Sequence, residues 1–299
     1  MGIMSIRPVK RVVRSKPTVE GAGVQLRRAF GFGDTKETDP FLLLDDFRND
    51  VPGDYSAGFP WHPHRGMETI TYVLAGEVEH ADSLGNRGSI GAGDVQWMTA
   101  GSGIIHHEMP KGDAAGRMHG FQLWANLPSA QKMVDPRYQE VKAREIPTIT
   151  DDDGTEVRVV CGEFWGKKGP VDGVATEPTY LDISIPAGKR KVLPVETTRH
   201  AFAYVFGGKG RFANASEPQA VKTDVIGGFG EEVENRNLVL FDRGDELVVE
   251  AGEFGIRFLL VSGKPIEEPV AWQGPIVTNT QAELRQAFQE LQSGTFLRH

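Results

Sequence analysis

Residues 59–69 read Phe59-Pro60-Trp61-His62-Pro63-His64-Arg65-Gly66-Met67-Glu68-Thr69, and this stretch is the most informative part of the sequence. His62 and His64 are separated by a single residue. Because side chains alternate along an extended strand, both imidazoles are expected on the same face. Two imidazoles on one face of a strand can supply two of the ligands of a metal site.

A second stretch offers further ligands and reads Gly101-Ser102-Gly103-Ile104-Ile105-His106-His107-Glu108. His106 and Glu108 share one face of a strand, whereas His107 points to the other face and lies outward or beside the site. If the two strands are neighbours, three imidazole nitrogens and one carboxylate oxygen converge on one ion. Glu68 lies an even number of residues from His62 and His64, so an extended strand would place it on the same face. It is therefore a further candidate ligand or a supporting acid.

Imidazole and carboxylate ligands suit borderline first-row metals, and no thiolate draws the choice toward a soft ion. Iron, copper, nickel, manganese and zinc all stay open on this ground. Four protein ligands would nearly fill a tetrahedral zinc site but leave two positions free on an octahedral ion, which gives a small preference for iron. The alternative, that these are ordinary turn and strand residues, is disfavoured because two such pairs occur in one glycine-rich context.

Composition narrows the class of protein. The chain has 299 residues, of which 39% are hydrophobic and 25% charged, which is typical of a soluble globular protein with a sizeable core. A net charge of -8 argues against direct binding to nucleic acid or to an anionic membrane. Cys161 is the single cysteine, so no internal disulfide forms, and we expect a reducing, cytoplasmic location. No apolar run is long enough to span a bilayer.

The pattern along the chain predicts a mostly β fold. Glycines (36) and prolines (18) separate short apolar runs. Residues 40–47 fit a buried strand, and residues 68–80 fit a strand, a turn and a second strand. The basic N-terminus, residues 1–17, fits a first strand with exposed basic side chains. Near the C-terminus, the capping box of residues 280–283 begins a helix with an apolar stripe, which we expect to pack on the β structure.

The two halves of the chain repeat each other, which predicts an N-terminal domain over residues 1–135 and a C-terminal domain over residues 136–299. Tyr72-Val73-Leu74-Ala75-Gly76 resembles Tyr204-Val205-Phe206-Gly207-Gly208. This match lays His62 over Pro194 and His64 over Glu196. Laying Asp94 on Asp245 places His106 over Arg257 and Glu108 over Leu259. The second copy lacks most of the ligand set on this alignment, so the metal is expected only in the first domain.

Several stretches resemble the pirin family, in the cupin superfamily. They are the two histidine-rich stretches together with Asp39–Phe47, Gly93–Gly101, Gln122–Leu127 and Gly274–Thr280. The resemblance implies a bicupin, with two antiparallel β-barrels of the jelly-roll type face to face and a short C-terminal helix. It also implies one Fe(II) in the N-terminal barrel, bound by His62, His64, His106 and Glu108, although other divalent first-row metals fit as well. His107 departs from the small residue often found there.

The same resemblance implies quercetin 2,3-dioxygenase activity, the oxidative opening of a flavonol's central ring. Glu108 would then serve as ligand and base, with the substrate's 3-hydroxyl oxyanion and O₂ at the metal. The alternative is a non-enzymatic, iron-based redox-sensing regulator that binds other proteins. A third reading, a zinc- or manganese-dependent sugar-phosphate isomerase, ranks last because only Arg65 and Lys111 are basic near the motifs.

Overall fold

A computed structural model gives the structure of the protein and describes residues 5–214 and 230–298. Strand makes up 54% and helix 9%, which confirms the mostly β prediction. The strands of the first part of the chain are β1 (Val9–Arg14), β2 (Lys16–Glu20), β3 (Val24–Phe30), β4 (Phe41–Asp46), β5 (Phe59–His64), β6 (Met67–Ala75), β7 (Glu77–Asp82), β8 (Arg87–Gly91), β9 (Val95–Thr99), β10 (Ile104–Lys111), β11 (His119–Asn126) and β12 (Arg137–Val141).

The later strands and the helices complete the described structure. These strands are β13 (Thr148–Thr150), β14 (Glu156–Cys161), β15 (Glu163–Phe164), β16 (Lys167–Lys168), β17 (Thr179–Ile185), β18 (Arg190–Pro194), β19 (His200–Phe212), β20 (Val233–Glu234), β21 (Asn237–Phe241), β22 (Glu246–Gly263), β23 (Ala271–Gln273) and β24 (Ile276–Thr278). The α-helices are α1 (Thr35–Thr38) and α2 (Gln281–Ser293), and short 3₁₀ turns span Pro52–Asp54, Ser129–Gln131 and Ala143–Glu145. In the part that the structure describes, no helix has both the length and the apolarity needed to cross a membrane.

The chain divides into two compact units, each built from two separate segments. Barrel A comprises Lys16–Glu145 and Ile266–His299, and barrel B comprises Met1–Ser15 and Ile146–Pro265. This division differs from two consecutive domains at residues 1–135 and 136–299. The basic N-terminal strand β1 belongs to barrel B because it pairs along its length with β21. The C-terminal segment belongs to barrel A, where the predicted helix packs its apolar stripe.

Barrel A is formed by two antiparallel sheets with an apolar core between them. Its seven-stranded sheet has the order β12-β9-β6-β11-β4-β3-β2, and its four-stranded sheet has the order β5-β10-β7-β8. The predicted buried strand is β4, all six residues of which are buried. The predicted strand pair is β6 and β7, and Gly76 turns the chain between them with a φ of 80°. One apolar cluster of this core consists of Val24, Leu26, Tyr55, Val73, Val78, Ile90 and Met118.

Barrel B repeats this topology in a single larger sheet. Its central path runs β1-β21-β19-β22-β17-β14-β13, strand for strand the order of the seven-stranded sheet of barrel A. Tyr72 on β6 faces Phe121 on β11, and Tyr204 on β19 faces Leu259 on β22 in the same way. The internal repeat of the sequence therefore corresponds to a real repeat of strand order.

The finer alignment of the repeat was wrong. Leu259 corresponds to Phe121, not to Glu108, because the C-terminal half of β22 takes the place of β11. The place of β5 and β10 is taken by β18 and the N-terminal half of β22, where Leu193 faces Leu247 as His62 faces His106. The core-facing side chains there are Leu193 and Val195, which flank Pro194, together with Leu247 and Val249. All four are buried in the core of barrel B.

Candidate metal centre

Two neighbouring strands of barrel A carry the predicted ligands. β5 pairs antiparallel with β10, so that His62 lies opposite His106 and His64 lies opposite Ile104. The register shifts between His106 and Glu108, which marks a β-bulge. Bulges re-aim the side chains beside them and are frequent next to active sites. The alternation along both strands brings the three imidazoles to one side.

The three imidazoles converge through the same ring nitrogen. His62 Nε2 lies 3.0 Å from His64 Nε2 and 3.0 Å from His106 Nε2. The ligand atoms of all three lie within 4.8 Å of one another, and they form the metal-type cluster found among the described residues. His62 is oriented by its other nitrogen, Nδ1, which lies 2.9 Å from the Pro60 carbonyl oxygen. That contact leaves Nε2 free to face the centre.

Burial keeps two of these imidazoles, His64 and His106, in the neutral form that a metal requires. His64 and His106 are each 1% exposed. Burial is the main cause that lowers the pKa of both well below the usual value, and the neighbouring His62 lowers both further. Neutral imidazoles bind metals, whereas protonated ones do not. Basic nitrogens that face one another at 3.0 Å are poorly satisfied by each other, so the residues present fit a bound cation.

Glu108 lies at the edge of this group. Its Oε2 is 4.0 Å from His106 Nε2, and its carboxylate is buried. Thr71 and Gln122 donate to it only over 3.4 Å. Two ligands that each bind one ion at about 2.1 Å are at most about 4.2 Å apart, so the distance to His106 is compatible with a shared ion. Its role as a ligand stays a prediction.

The structure places the other candidate residues outside the cluster. Glu68 is buried and accepts a hydrogen bond of 2.7 Å from Thr99 Oγ1, and burial raises the pKa of its carboxyl. His107 packs its ring against Trp61, with ring centres 4.6 Å apart. Arg65, a possible phosphate contact of an isomerase, is buried and donates to the Ser102 carbonyl oxygen and to two acceptors in the C-terminal segment. This engagement removes one of the two cations on which the isomerase reading depended.

A cavity of about 440 Å³ lies beside His62 and His64 in barrel A. That volume falls within the range of small-molecule sites, about 300–1,000 Å³. Apolar and aromatic side chains line most of it, namely Phe32, Leu43, Phe59, Pro60, Trp124 and Pro275. Barrel B has a larger cavity of about 840 Å³, but no member of the histidine cluster lines it. The cavity in barrel A is therefore the relevant one for chemistry at the cluster.

One wall of this cavity is charged. Arg28 donates to both carboxylate oxygens of Asp45, over 2.9 and 2.8 Å, and its guanidinium also lies 2.9 Å from Glu20. Burial raises the pKa of Asp45 to about 6, although Arg28 opposes this shift. A buried carboxylate and a paired guanidinium thus stand at the polar end of an otherwise apolar cavity.

Sequence reasoning missed the contribution of the C-terminal segment to the site. Gly274 and Pro275 line the cavity, and the Pro275 carbonyl interacts with the His64 ring. Gly274–Thr280 is one of the stretches that resemble the pirin family. Nothing in its local pattern connects it with a histidine more than two hundred residues earlier.

Family comparison agrees with this architecture. The model described as "Pirin" matches residues 23–125, and the "Pirin C-terminal cupin domain" matches residues 180–297. The chain belongs to the pirin family. A "Pirin-like protein" of Caulobacter vibrioides is 45% identical over 98% of this chain and 100% of its own length. "Pirin" of Homo sapiens is 38% identical over 95% of this chain and 91% of its own.

One solved structure is similar to this chain over nearly its whole length. The crystal structure described as quercetin 2,3-dioxygenase from Acinetobacter baumannii superposes with a TM-score of 0.85 and 30% sequence identity. The match covers 98% of this chain and 99% of the other. The bicupin fold that the sequence predicted is therefore confirmed.

Proposed function

We propose that this pirin-family protein is a metal-dependent dioxygenase that opens the central ring of flavonols such as quercetin. The observation that carries the proposal is the 440 Å³ cavity, which is mostly apolar and which His62 and His64 line directly. A flat polyphenol needs such a cavity and a metal at its end. The similarity to quercetin 2,3-dioxygenase from Acinetobacter baumannii supports the same reaction.

The proposed ligands of the ion are His62, His64, His106 and Glu108, and the proposed ion is Fe(II). Nitrogens that each bind one ion at about 2.1 Å lie about 3.0 Å apart in an octahedron and about 3.4 Å apart in a tetrahedron. The two observed distances from His62 Nε2 are 3.0 Å each, close to the octahedral value. When bound, iron would polarise the substrate's hydroxyl oxygen and supply redox chemistry toward O₂.

The protein's own residues would bind and orient the substrate. Phe59, Leu43 and Trp124 offer apolar walls for a planar ring system. The Glu108 carboxylate, held weakly by its 3.4 Å donors, would accept the proton of the flavonol 3-hydroxyl. The charged wall at Asp45 offers hydrogen-bond partners to further hydroxyls of a polyphenol. Burial of His64 and His106 would limit the access of water on their side of the cluster.

The test is turnover of quercetin in air by protein reconstituted with Fe²⁺, followed by loss of the flavonol absorbance and by release of carbon monoxide. We expect His64→Ala to lower the rate at least about 100-fold, since loss of even a supporting partner of a metal ligand costs about 10–100-fold. His119→Ala is the matched control, because His119 lies 2.5 Å from Asp50 and does not line the cavity. Iron-replete wild-type protein that leaves quercetin unchanged would refute the proposal.

One observation favours a second function, an iron-based redox sensor that binds other proteins. Trp61 stands between the cavity residue Pro60 and the ligand His62, yet it is 57% exposed. Its ring packs on His107, the neighbour of His106. A surface aromatic in contact with both ligand strands could report the oxidation state of the ion to a partner. Partner binding that differs between ferrous and ferric protein, and that Trp61→Ala abolishes, would support this function.

A further inference from the structure

Arg65 follows the ligand His64 directly and is buried, with 4% of its side chain exposed. Its guanidinium donates through Nε to the Ser102 carbonyl oxygen over 2.7 Å. Its Nη1 donates to Glu290 Oε2 and its Nη2 to the Phe296 carbonyl oxygen, both over 2.6 Å. The guanidinium carbon also lies 4.0 Å from the centre of the Phe296 ring. The guanidinium thus donates to three acceptors, and two of them belong to the C-terminal segment.

The backbone around Arg65 is held by the same segment. The Arg65 N–H donates to the Pro275 carbonyl oxygen over 3.3 Å, and the Val277 N–H donates to the Arg65 carbonyl oxygen over 3.0 Å. The next residue, Gly66, accepts a hydrogen bond of 3.0 Å from the Nζ of the buried Lys132. The chain that leaves the ligand strand β5 is therefore fixed through both its side chain and its peptide groups.

The second ligand strand touches the C-terminal segment as well. Phe296 is 2% exposed and packs in one cluster with Leu284, Ala287 and the β10 residue Ile105. Ile105 precedes the ligand His106. A Cβ at Gly103, the residue before β10, would lie 3.0 Å from the Phe296 ring. The C-terminal segment therefore contacts the neighbours of ligands on both strands.

We propose that the C-terminal segment, residues 266–298, is a structural part of the metal centre of barrel A, and that Arg65 and Glu290 are positioning residues for His64. The inference rests on the proposed metal site but not on flavonol chemistry. A guanidinium out of water is stable only while its acceptors keep their geometry. The three hydrogen bonds of the Arg65 guanidinium therefore hold the adjacent His64 in the orientation that points its Nε2 at the centre of the histidine cluster. The family model assigns residues up to 297 to the C-terminal domain, whereas these contacts give them a role in the other barrel.

The test measures affinity for Co²⁺ alone by titration, followed by the visible absorption of the bound ion, in the full-length protein. We expect Arg65→Met to raise the dissociation constant about 10–100-fold, the usual cost of removing a partner behind a metal ligand. Glu290→Gln, which keeps the side chain's shape but weakens the ion pair, is expected to give a smaller increase and a changed Co²⁺ spectrum. Thermal unfolding of each variant is recorded in parallel.

Arg48→Met is the matched control. Arg48 also pairs with a buried carboxylate, Asp46, over 2.6 Å, and its guanidinium carbon lies 5.6 Å from the Phe121 ring. We expect it to lower the melting temperature without changing the Co²⁺ dissociation constant. An equal change of affinity in the Arg65 and Arg48 variants would overturn the inference. If Arg65→Met does not fold, Glu290→Gln decides, and wild-type affinity and spectrum in that variant would overturn it.

The outcomes separate this inference from the proposed function. Co²⁺ binding that depends on Arg65, in a protein that leaves quercetin unchanged, would overturn the dioxygenase proposal and support the positioning role. Wild-type protein that binds no Co²⁺ would overturn both.

Discussion

Replacement of Gly66 by alanine tests how tightly the ligand strand is packed against the C-terminal segment. Gly66 has a φ of 75°, in the left-handed region, and a Cβ there would lie 1.9 Å from the Val277 carbonyl oxygen. The left-handed conformation costs an L-residue about 1–2 kcal/mol. Overpacking of a well-packed site adds about 1–3 kcal/mol or more. Since the obstructing atom belongs to the backbone of a fully buried residue, we expect Gly66→Ala to lose about 2–5 kcal/mol of unfolding free energy.

Gly85→Ala provides the matched control for the backbone cost alone. Gly85 has a φ of 87°, but a Cβ there would meet nothing within 4 Å. We therefore expect a loss of only about 1–2 kcal/mol. Urea unfolding followed by tryptophan fluorescence gives both values, because Trp61, Trp97, Trp124 and Trp272 all lie in barrel A. The difference between the two variants isolates the packing against Val277.

The same pair of variants should separate in metal affinity. Movement of Val277 would disturb its hydrogen bond to the Arg65 carbonyl oxygen, and with it the neighbouring His64. We expect Gly66→Ala to weaken Co²⁺ binding about 10-fold or more, and Gly85→Ala to leave it unchanged. Equal stability losses in the two variants, or unchanged Co²⁺ affinity in Gly66→Ala, would refute the reasoning.

The remaining predictions concern Asp45, Gln122 and the cap of α2. Burial raises the pKa of Asp45 from 3.8 to about 6, so the folded state binds its proton more readily than the unfolded chain. This group therefore lowers the unfolding free energy by about 3 kcal/mol as pH rises from about 4 to about 6, and urea titrations across that range should be flatter in Asp45→Asn. Gln122→Leu removes a donor to both oxygens of Glu108 and should weaken Co²⁺ binding about 10-fold, whereas Gln96→Leu, whose amide donates to Glu140, should not. Thr280→Ala removes the acceptor of the Glu283 N–H and should cost about 1 kcal/mol in urea unfolding, a loss that Thr280→Ser should not show.

Strand parity was enough to group the three histidines from sequence. A side chain's face depends only on its position along the strand, so His62, His64 and His106 follow from spacing once two strands are assumed to be neighbours. Their convergence within 4.8 Å agrees with that expectation. The same parity separated His107, which packs on Trp61 instead. The alternation of side chains along strands was thus enough to predict most residues of the candidate site.

The register of the repeat could not be read from sequence. A slip of one residue moves every side chain to the opposite face, and Pro194 is exposed whereas Leu193 is buried. The bulge between His106 and Glu108 adds a further shift. In barrel B, β22 continues through the positions at which β10 and β11 are separate strands in barrel A. Ala251-Gly252 suggests a turn between two strands, but β22 runs on through it. The match based on one Gly-Asp pair was therefore wrong.

The contacts between Arg65 and the C-terminal segment could not be predicted from the sequence either. The hydrogen bonds of Arg65 to Glu290 and Phe296 join residues more than two hundred positions apart. Neither helical nor strand periodicity predicts such a partner. The capping box and apolar stripe predicted that α2 forms and packs on β structure. They did not predict that it packs on the barrel that holds the histidines, because both barrels offer apolar faces. Only the folded arrangement distinguishes them.

The contrast between the two barrels gives a physical reason to place the ion in barrel A. At the core-facing positions of β18 and β22, Leu193 and Leu247 gain about 1.5–3 kcal/mol each from burial. In barrel A the paired strands β5 and β10 instead bring His62 Nε2 and the buried His106 Nε2 to 3.0 Å, and burial of a polar group that is not fully compensated costs about 1–3 kcal/mol. Barrel A therefore gives up several kcal/mol that its own repeat retains. A cation bound by the converging nitrogens would offset this loss.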